Sequence, residues 1–443
     1  MAPEATLICA NRLATMGRLD LPPAIMTTEA PNIAVSHPPA DRLPRGATPL
    51  FAAAVGLIVV NLFGIQPLVA EIAASIGWTT AATGLLVTAT LIGYGIGLLL
   101  LMPMTDLQDN RALASRTLWG TVASLALTTV AHSGQVLMLA AFAIGLTSTV
   151  IQMLIALAGR LAADYRRGRV LGDIMIGLNL GILLSRPAAS LIAAQWGWRA
   201  FYGASAVAIA VLAIVLPRVM PTFVPPRTQS YGALLGSYGR LLRSEPLLRR
   251  RAATQALLMA AFTLFWTAVA LRLAAAPFHL SQNGIGIFAL CGAAGVVAAP
   301  VAGRLADRGL VRVGTLLAHG SAAAGLLLAL ASALVPGLSV PVMLAMQVIA
   351  ALLLDFGAIG DQALGRYMVN TLSPEIRGRV NGLYTGAFFF GAAAGGGLAG
   401  AVWARAGWIG VSALALGFVS AAALVFLWPS TAPRAIGATP RRC

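Results

Sequence analysis

Two opposite charges stand inside apolar runs of this chain. They are Arg186, in Ile182-Leu183-Leu184-Ser185-Arg186-Pro187, and Asp355, in Leu352-Leu353-Leu354-Asp355-Phe356. Left alone in hydrocarbon, either charge costs roughly 2.5 to 3.5 kcal/mol near the centre of a spanning helix. Each must therefore face a polar cavity or the other. A carboxylate at that depth can take up and release a proton, and a nearby guanidinium would set its affinity for one. A static ion pair that only holds two parts of the protein together is the competing reading. At a rise of about 1.5 Å per residue, Arg186 lies ~22 Å and Asp355 ~15 Å from the same end of their runs, within reach of an arginine side chain where the helices meet.

A second set of residues is polar but uncharged. Asn61, Gln66, Gln152, Gln255, Trp266 and Gln347 lie within apolar runs and are candidate contacts for a bound molecule. The alternative is hydrogen bonding between helices, worth about 0.6 to 2 kcal/mol per bond. His319 reads as a packed histidine, and Asp173 and Asp361, nearer the ends of their runs, read as hydrated. Catalytic chemistry has little to work with here. The four histidines have no metal-ligand spacing, no nucleophile stands beside a base, and every one of the 30 basic residues is arginine, which excludes a lysine Schiff base. Cys9, Cys291 and Cys443 are scattered, so no disulfide or metal framework follows. No phosphate-binding loop is present, and no cofactor is expected.

The elements that hold these residues must be membrane helices. With 58% hydrophobic and 10% charged residues and a mean hydropathy of +0.84, the chain has more apolar surface than a soluble core could hide. Twelve apolar runs, from 49–71 to 409–428, are each about 19 to 25 residues long, enough to cross a bilayer as helices. The runs divide the chain into a disordered tail at 1–48 with eight prolines by residue 49, a six-helix bundle at 49–217, a linker at 218–250, a second bundle at 251–428, and a tail at 429–443. The linker reads as a solvated tether drawn to anionic lipid headgroups. The net charge of +16 does not imply nucleic acid, because its distribution follows the runs. Placing both termini in the cytoplasm puts 26 of the 30 arginines in the tails and in alternate connections; Arg199, Arg272 and Arg405 fall outside and Arg186 lies within a run.

The two bundles echo each other. Arg167-Gly168-Arg169-Val170-Leu171-Gly172 returns as Arg377-Gly378-Arg379-Val380-Asn381-Gly382, and each copy stands just before a long apolar run. Asp106, after the second run, has a counterpart in Gly303-Arg304-Leu305-Ala306-Asp307-Arg308 after the eighth. Repeated halves are a common construction for transporters.

This layout resembles the major facilitator superfamily, whose loop motif G-x-L-x-D-R is close to residues 303–308. Gln66-Pro67-Leu68, Phe265-Trp266-Thr267 and Pro374-Glu375-Ile376-Arg377-Gly378-Arg379 resemble bacterial exporters of the arabinose-efflux and multidrug type within it. The resemblance implies an all-α membrane protein with twelve transmembrane helices in two pseudo-symmetric six-helix bundles. It implies a monomeric secondary transporter of the bacterial inner membrane, with the lipid bilayer, protons and a small-molecule substrate as its partners. The expected activity is export of a small amphiphilic drug, sugar or metabolite in exchange for protons by alternating access. Uptake or facilitated passage of a sugar or organic acid is the alternative in the same class; a membrane-embedded enzyme or a transporter-like receptor is the alternative outside it. The motif also implies a cytoplasmic gate. Asp106 would sit against the helix start at Gly378 and Gly382, and Asp307, with Arg308 beside it, against the start at Gly168 and Gly172, latching the halves when the pathway opens outward. The departures are Thr105-Asp106-Leu107 in place of Gly-Asp-Arg, and Ala141 where many proton-coupled exporters carry arginine.

Overall fold

The computed structural model describes residues 43–44, 46–224, 230–292, 297–372 and 376–428. The expected tails, 1–48 and 429–443, lie outside these residues apart from the few preceding the first helix. Most of the helices are apolar sequence between breakers and caps. α1 (Ala47–Phe63) ends where Gly64 and Pro67 interrupt it, passes through a tight turn at Gln66–Leu68, and resumes as α2 (Val69–Ser75). α3 (Thr83–Leu100) follows, and then α4 (Asn110–Val130), whose first amides are capped by the Asp109 carboxylate at 3.2 Å from Arg111 N. α5 (Gly134–Ser148) and α6 (Val150–Leu161) are nearly continuous, and Ser133 caps the first. α7 (Asp164–Trp196) carries Pro187 inside it, and Gly197, at φ 78°, turns the chain into α8 (Trp198–Val219).

The second part begins with α9 (Tyr231–Ser244) and continues with α10 (Pro246–Ala274), α11 (Gln282–Cys291), α12 (Ala298–Asp307), α13 (Val311–Leu334), α14 (Val340–Val369) and α15 (Arg377–Leu427). Gly407, at φ 57° and ψ −153°, breaks α15 into two rods. Among the described residues nine helical stretches are long and apolar enough to cross a membrane, where twelve were expected. The difference has three physical sources. The two rods of α15 run on as one stretch. α11 and α12 are short pieces on either side of 293–296. α4 is 21 residues long but diluted by Arg111, Arg116 and a series of serines and threonines. Those hydroxyls turn back on their own helix: Thr117 Oγ1, for example, donates to the Leu113 carbonyl at 2.8 Å.

Helices before the linker pack mainly on one another, as do those after it, and two seams join the sets. In one seam α3 lies along the first rod of α15. There a Cβ on Gly84 would strike the Gly396 carbonyl, and Thr88 Oγ1 donates to the Ala393 carbonyl at 2.8 Å. In the other seam α7 meets α11, with Gly286 against Ser190 and Gln282 Nε2 nearby donating to the Pro67 carbonyl at 3.1 Å. The second seam lies towards the end of the molecule that is poor in arginine. At the arginine-rich end, Gly168, Gly172, Gly303 and Gly378 have no heavy atom within 4 Å of where a Cβ would stand.

Two expectations are corrected. The stretch 167–172 is not a connection before the fifth helix but lies within α7, and Gly168 and Gly172 make no close approach to a neighbour. The linker is no plain tether either, since α9 forms within it and buries Leu234, Ser237 and Leu241. Tyr231 Oη donates to the Leu100 carbonyl at 2.9 Å, and the Tyr238 hydroxyl lies 3.7 Å from a Cβ placed on Gly382. α9 thus touches both sets of helices. Burial pushes the Tyr238 phenol up to about 12, the nearby Asp106 carboxylate adds to the rise, and Arg379 opposes it.

Candidate functional site

A cavity of about 170 Å³ lies between the two sets of helices. Its lining comes from the middle or the arginine-rich half of each helix: Tyr94 of α3, Gln152 of α6, Asn179 and Arg186 of α7, and Asp355, Gln362 and Arg366 of α14, with Phe63, Phe262, Phe388 and Phe389 as its apolar walls. Arg186 and Asp355 are brought together there, each almost fully buried. They form no direct ion pair within 4.0 Å. Trp266 stands between them instead. Its indole Nε1 donates to Asp355 Oδ1 at 2.7 Å, while the Arg186 guanidinium lies 4.3 Å from the ring centroid. Arg186 also gives its Nε to Gln66 Oε1 at 2.7 Å and lies 5.5 Å and 5.7 Å from the centroids of Phe262 and Phe63. Its Nη2 has no protein partner.

The local backbone explains these positions. The Gln66 side chain reaches Arg186 because Pro67 and the tight turn interrupt the first helix at that level. Asp355 is held close to Gly292, where a Cβ would come within 2.6 Å of the Trp266 ring and 2.7 Å of Asp355 Oδ2. Glycine at that position is a steric requirement of the pair.

Of the six uncharged residues singled out from sequence, Gln152 lines the cavity, 3.5 Å from the Tyr94 hydroxyl. Gln66 holds Arg186 and Trp266 bridges the two charges, so both engage the pair and not the lining itself. The other three are occupied elsewhere, Gln255 and Gln347 by bonds between helices and Asn61 by its own helix. Asn61 donates to the Leu57 and Ile58 carbonyls of its own helix at 3.4 Å. Gln255 accepts from Tyr384 Oη at 3.2 Å, and Gln347 donates to Ser332 Oγ at 2.7 Å. Sequence reasoning missed Asn179, Gln362 and Arg366. The signal was available as spacing: Met175, Asn179, Ile182 and Arg186 on α7, and Asp355, Ile359, Gln362 and Arg366 on α14, each recur at helical period on one face.

Asp361 departs from the expected hydrated position. It is fully buried, Arg251 Nη2 lies 2.8 Å from its Oδ1, and His319 Nε2 lies 3.4 Å from the same oxygen. The reason is that α10, α13 and α14 converge there, with the Phe426 ring beneath Arg251 and edge-to-face with His319. His319 is a packed histidine, as the sequence reading had it. Asp173 is exposed.

The gate residues are not assembled in this arrangement. Asp106 pairs with Arg160 at the end of α6 and not with the start of α15, where Gly378 has open space and Gly382 faces Tyr238. Asp307 and Arg308 are exposed at the end of α12, away from Gly168 and Gly172. Among the described residues no cluster of three His, Cys, Asp or Glu side chains could hold a metal ion.

Comparison with known proteins agrees with this architecture. Over 362 residues the chain is 34% identical to the uncharacterized transporter YgaY of Escherichia coli O157:H7, covering 82% of this chain and 90% of that one. It is 30% identical over 430 residues to the "Probable transporter SCO4007" of Streptomyces coelicolor, covering 92% and 94%. Two partial relatives, from Pasteurella multocida and Mannheimia succiniciproducens, are each named "Probable sugar efflux transporter"; the first is 27% identical over 199 residues, 45% of this chain and 48% of its own. Among solved structures, the nucleoside transporter NupG superposes with a TM-score of 0.68 at 15% identity, over 86% of this chain and 98% of its own. The bacterial Spinster homologue in its inward-facing, occupied conformation superposes with a TM-score of 0.65 at 16% identity, over 85% and 95%. The Major Facilitator Superfamily matches residues 51–332 and again 251–442. With an all-α, multi-pass membrane fold and a central cavity that carries buried charge, the chain belongs to the Major Facilitator Superfamily, a family of secondary transporters of small molecules.

Proposed function

We propose that this protein is a proton-coupled exporter that moves a small amphiphilic molecule by alternating access, with Asp355 as the site of the coupled proton. The observation that carries the reading is the Arg186–Trp266–Asp355 arrangement in the cavity. The carboxylate is buried, one of its oxygens is held by a neutral donor, and a guanidinium lies across one ring from it without neutralising it directly. A proton arriving on Asp355 changes the charge of the cavity, which biases a two-state equilibrium between its openings. Arg186 sets how readily the proton binds, because the distance between the two charges changes as the helices move.

The twelve-helix reading divides α15 at Gly407, takes α11 and α12 as one crossing, and admits α4 as another. The halves are then 49–217 and 251–428, with both termini in the cytoplasm of a bacterial inner membrane, as the arginine distribution favours. With that orientation the cavity faces the cytoplasm here, and the gate at Asp106, Asp307 and the glycines of α7 and α15 is released. Export is supported by the partial relatives named as sugar efflux transporters. The guanidiniums of Arg186 and Arg366 favour a second reading, passage of an organic acid together with a proton. An anion close to Asp355 repels its charged form, so the two would travel together.

The test uses the purified protein in vesicles. Asp355→Asn should abolish proton-driven accumulation and leave substrate exchange measurable. A variant that still concentrates substrate against its gradient, with unchanged dependence on pH, removes Asp355 from the mechanism. The direction of proton movement on adding substrate separates export from co-transport.

A further inference from the structure

We propose that the molecule this cavity carries is a small organic anion, a singly charged acid on an apolar or aromatic body. The inference rests on the cavity being the transport site, as argued above, and not on the direction of transport. Its basis is the charge of the lining. Arg186 and Arg366 each contribute one positive charge and Asp355 one negative charge, which leaves the walls with a net charge of +1. The remaining polar lining, from Tyr94, Gln152, Asn179, Gln362 and Thr385, is uncharged.

The two signs are also unequally engaged. Asp355 already accepts a 2.7 Å hydrogen bond from Trp266, and Gly292 closes over its other oxygen. Arg186 has used its Nε on Gln66 and a face of its guanidinium on Trp266, yet its Nη2 is buried with no protein partner while the side chain as a whole is only 6% exposed. A buried charged donor of this kind is costly until an acceptor meets it, and a carboxylate meets it with a charge-assisted bond. Arg366, on the same face of α14 and about 16 Å along the helix from Asp355, has no ion-pair partner among the described residues. An acid bound against either guanidinium brings the cavity to neutrality. A cation would face two positive groups and one carboxylate that is already bonded. A neutral sugar would leave the charge on Nη2 unanswered. The rings of Phe63, Phe262, Phe388 and Phe389 supply the apolar surface for the rest of the molecule.

The experiment is a binding titration of the full-length protein in lipid nanodiscs with matched sets of compounds. Each set keeps one body and changes one head group, such as 3-phenylpropionate, its amide, the corresponding alcohol and the corresponding amine, with further sets on one-ring and two-ring bodies. At least one acid should bind about tenfold or more tightly than its amide and alcohol, with the amine weakest. Arg366→Gln and Arg186→Gln should each reduce the affinity for that acid and leave the alcohol unaffected; Arg366 is half-exposed, so its variant guards against misfolding at the more buried position. A panel in which no acid binds more tightly than its amide overturns the proposal, as does an acid whose affinity survives both substitutions. The coupled reading fails separately. Proton movement driven by a neutral or cationic compound would refute the anion and leave coupling standing, whereas acid binding with no proton movement would do the reverse.

Discussion

Trp266 uses two perpendicular properties of one ring, an in-plane N–H for Asp355 and a π face for Arg186. The sequence marked this tryptophan as a candidate contact for a bound molecule, but its place between the two charges was not legible there. Arg186 and Asp355 themselves were legible, because a charge in hydrocarbon has few explanations. Arg366 and Gln362 were not, since residues near a helix end are read as hydrated unless their periodicity with Asp355 is followed. The same habit misplaced Asp361. Its contact with Arg251 joins α10 to α14 where both side chains are at most 1% exposed. Breaking a buried pair leaves an uncompensated charge, so Arg251→Met alone should destabilise the protein by about 3 to 5 kcal/mol, while Arg251→Met with Asp361→Leu should recover most of the loss. Melting of the purified protein in detergent measures both. Equal losses in the single and double variants would mean that the pair is not what holds these helices.

At the scale of elements, the apolar runs located most helices, but helix starts were harder to place. Residues 167–172 read as a connection because arginine and glycine are common there, yet α7 continues through them. α9 was hidden because its apolar positions are few, although Leu234 and Leu241, two turns apart, mark its buried face. The glycines of α15 mark close contacts. A Cβ on Gly395 would enter the Ala260 carbonyl of α10, and one on Gly391 would enter that of Ala256. Gly395→Val should therefore force the two helices apart, at a cost of about 1 to 3 kcal/mol or more from overpacking. Gly303 in α12 has nothing within 4 Å, so Gly303→Ala should be neutral or slightly stabilising, by up to about 1 kcal/mol from helix propensity. Folded yield and melting temperature should separate the two variants. A Gly395→Val protein as stable as the parent would contradict the packing.

At the scale of the molecule, the echo of residues 167–172 in 377–382 was visible in sequence, whereas the arrangement of the gate was not, because one sequence serves every conformation of a transporter. The α3–α15 seam keeps its contacts at both ends, from Gly84 against Gly396 to Leu99 beside Gly386. The α7–α11 seam is joined at Gly286 and Gln282, while Gly168 and Gly303 have open space around them. In a protein whose native cysteines have been replaced, spin labels at Gly168 and Gly303 should therefore change separation strongly when the arginine-rich end closes. Labels at Leu85 and Leu398, exposed on α3 and α15, should change little. Equal changes at both pairs would rule out motion about the α3–α15 seam. A body that turns about the α3–α15 seam, as this prediction has it, is a lever that does not swell evenly. When open at the arginine-rich end it presents a wider cross-section to one lipid leaflet than to the other, and closing reverses the taper. The lateral pressure of that leaflet is then a load on the lever, so lipid shape alone should shift the balance between the two openings.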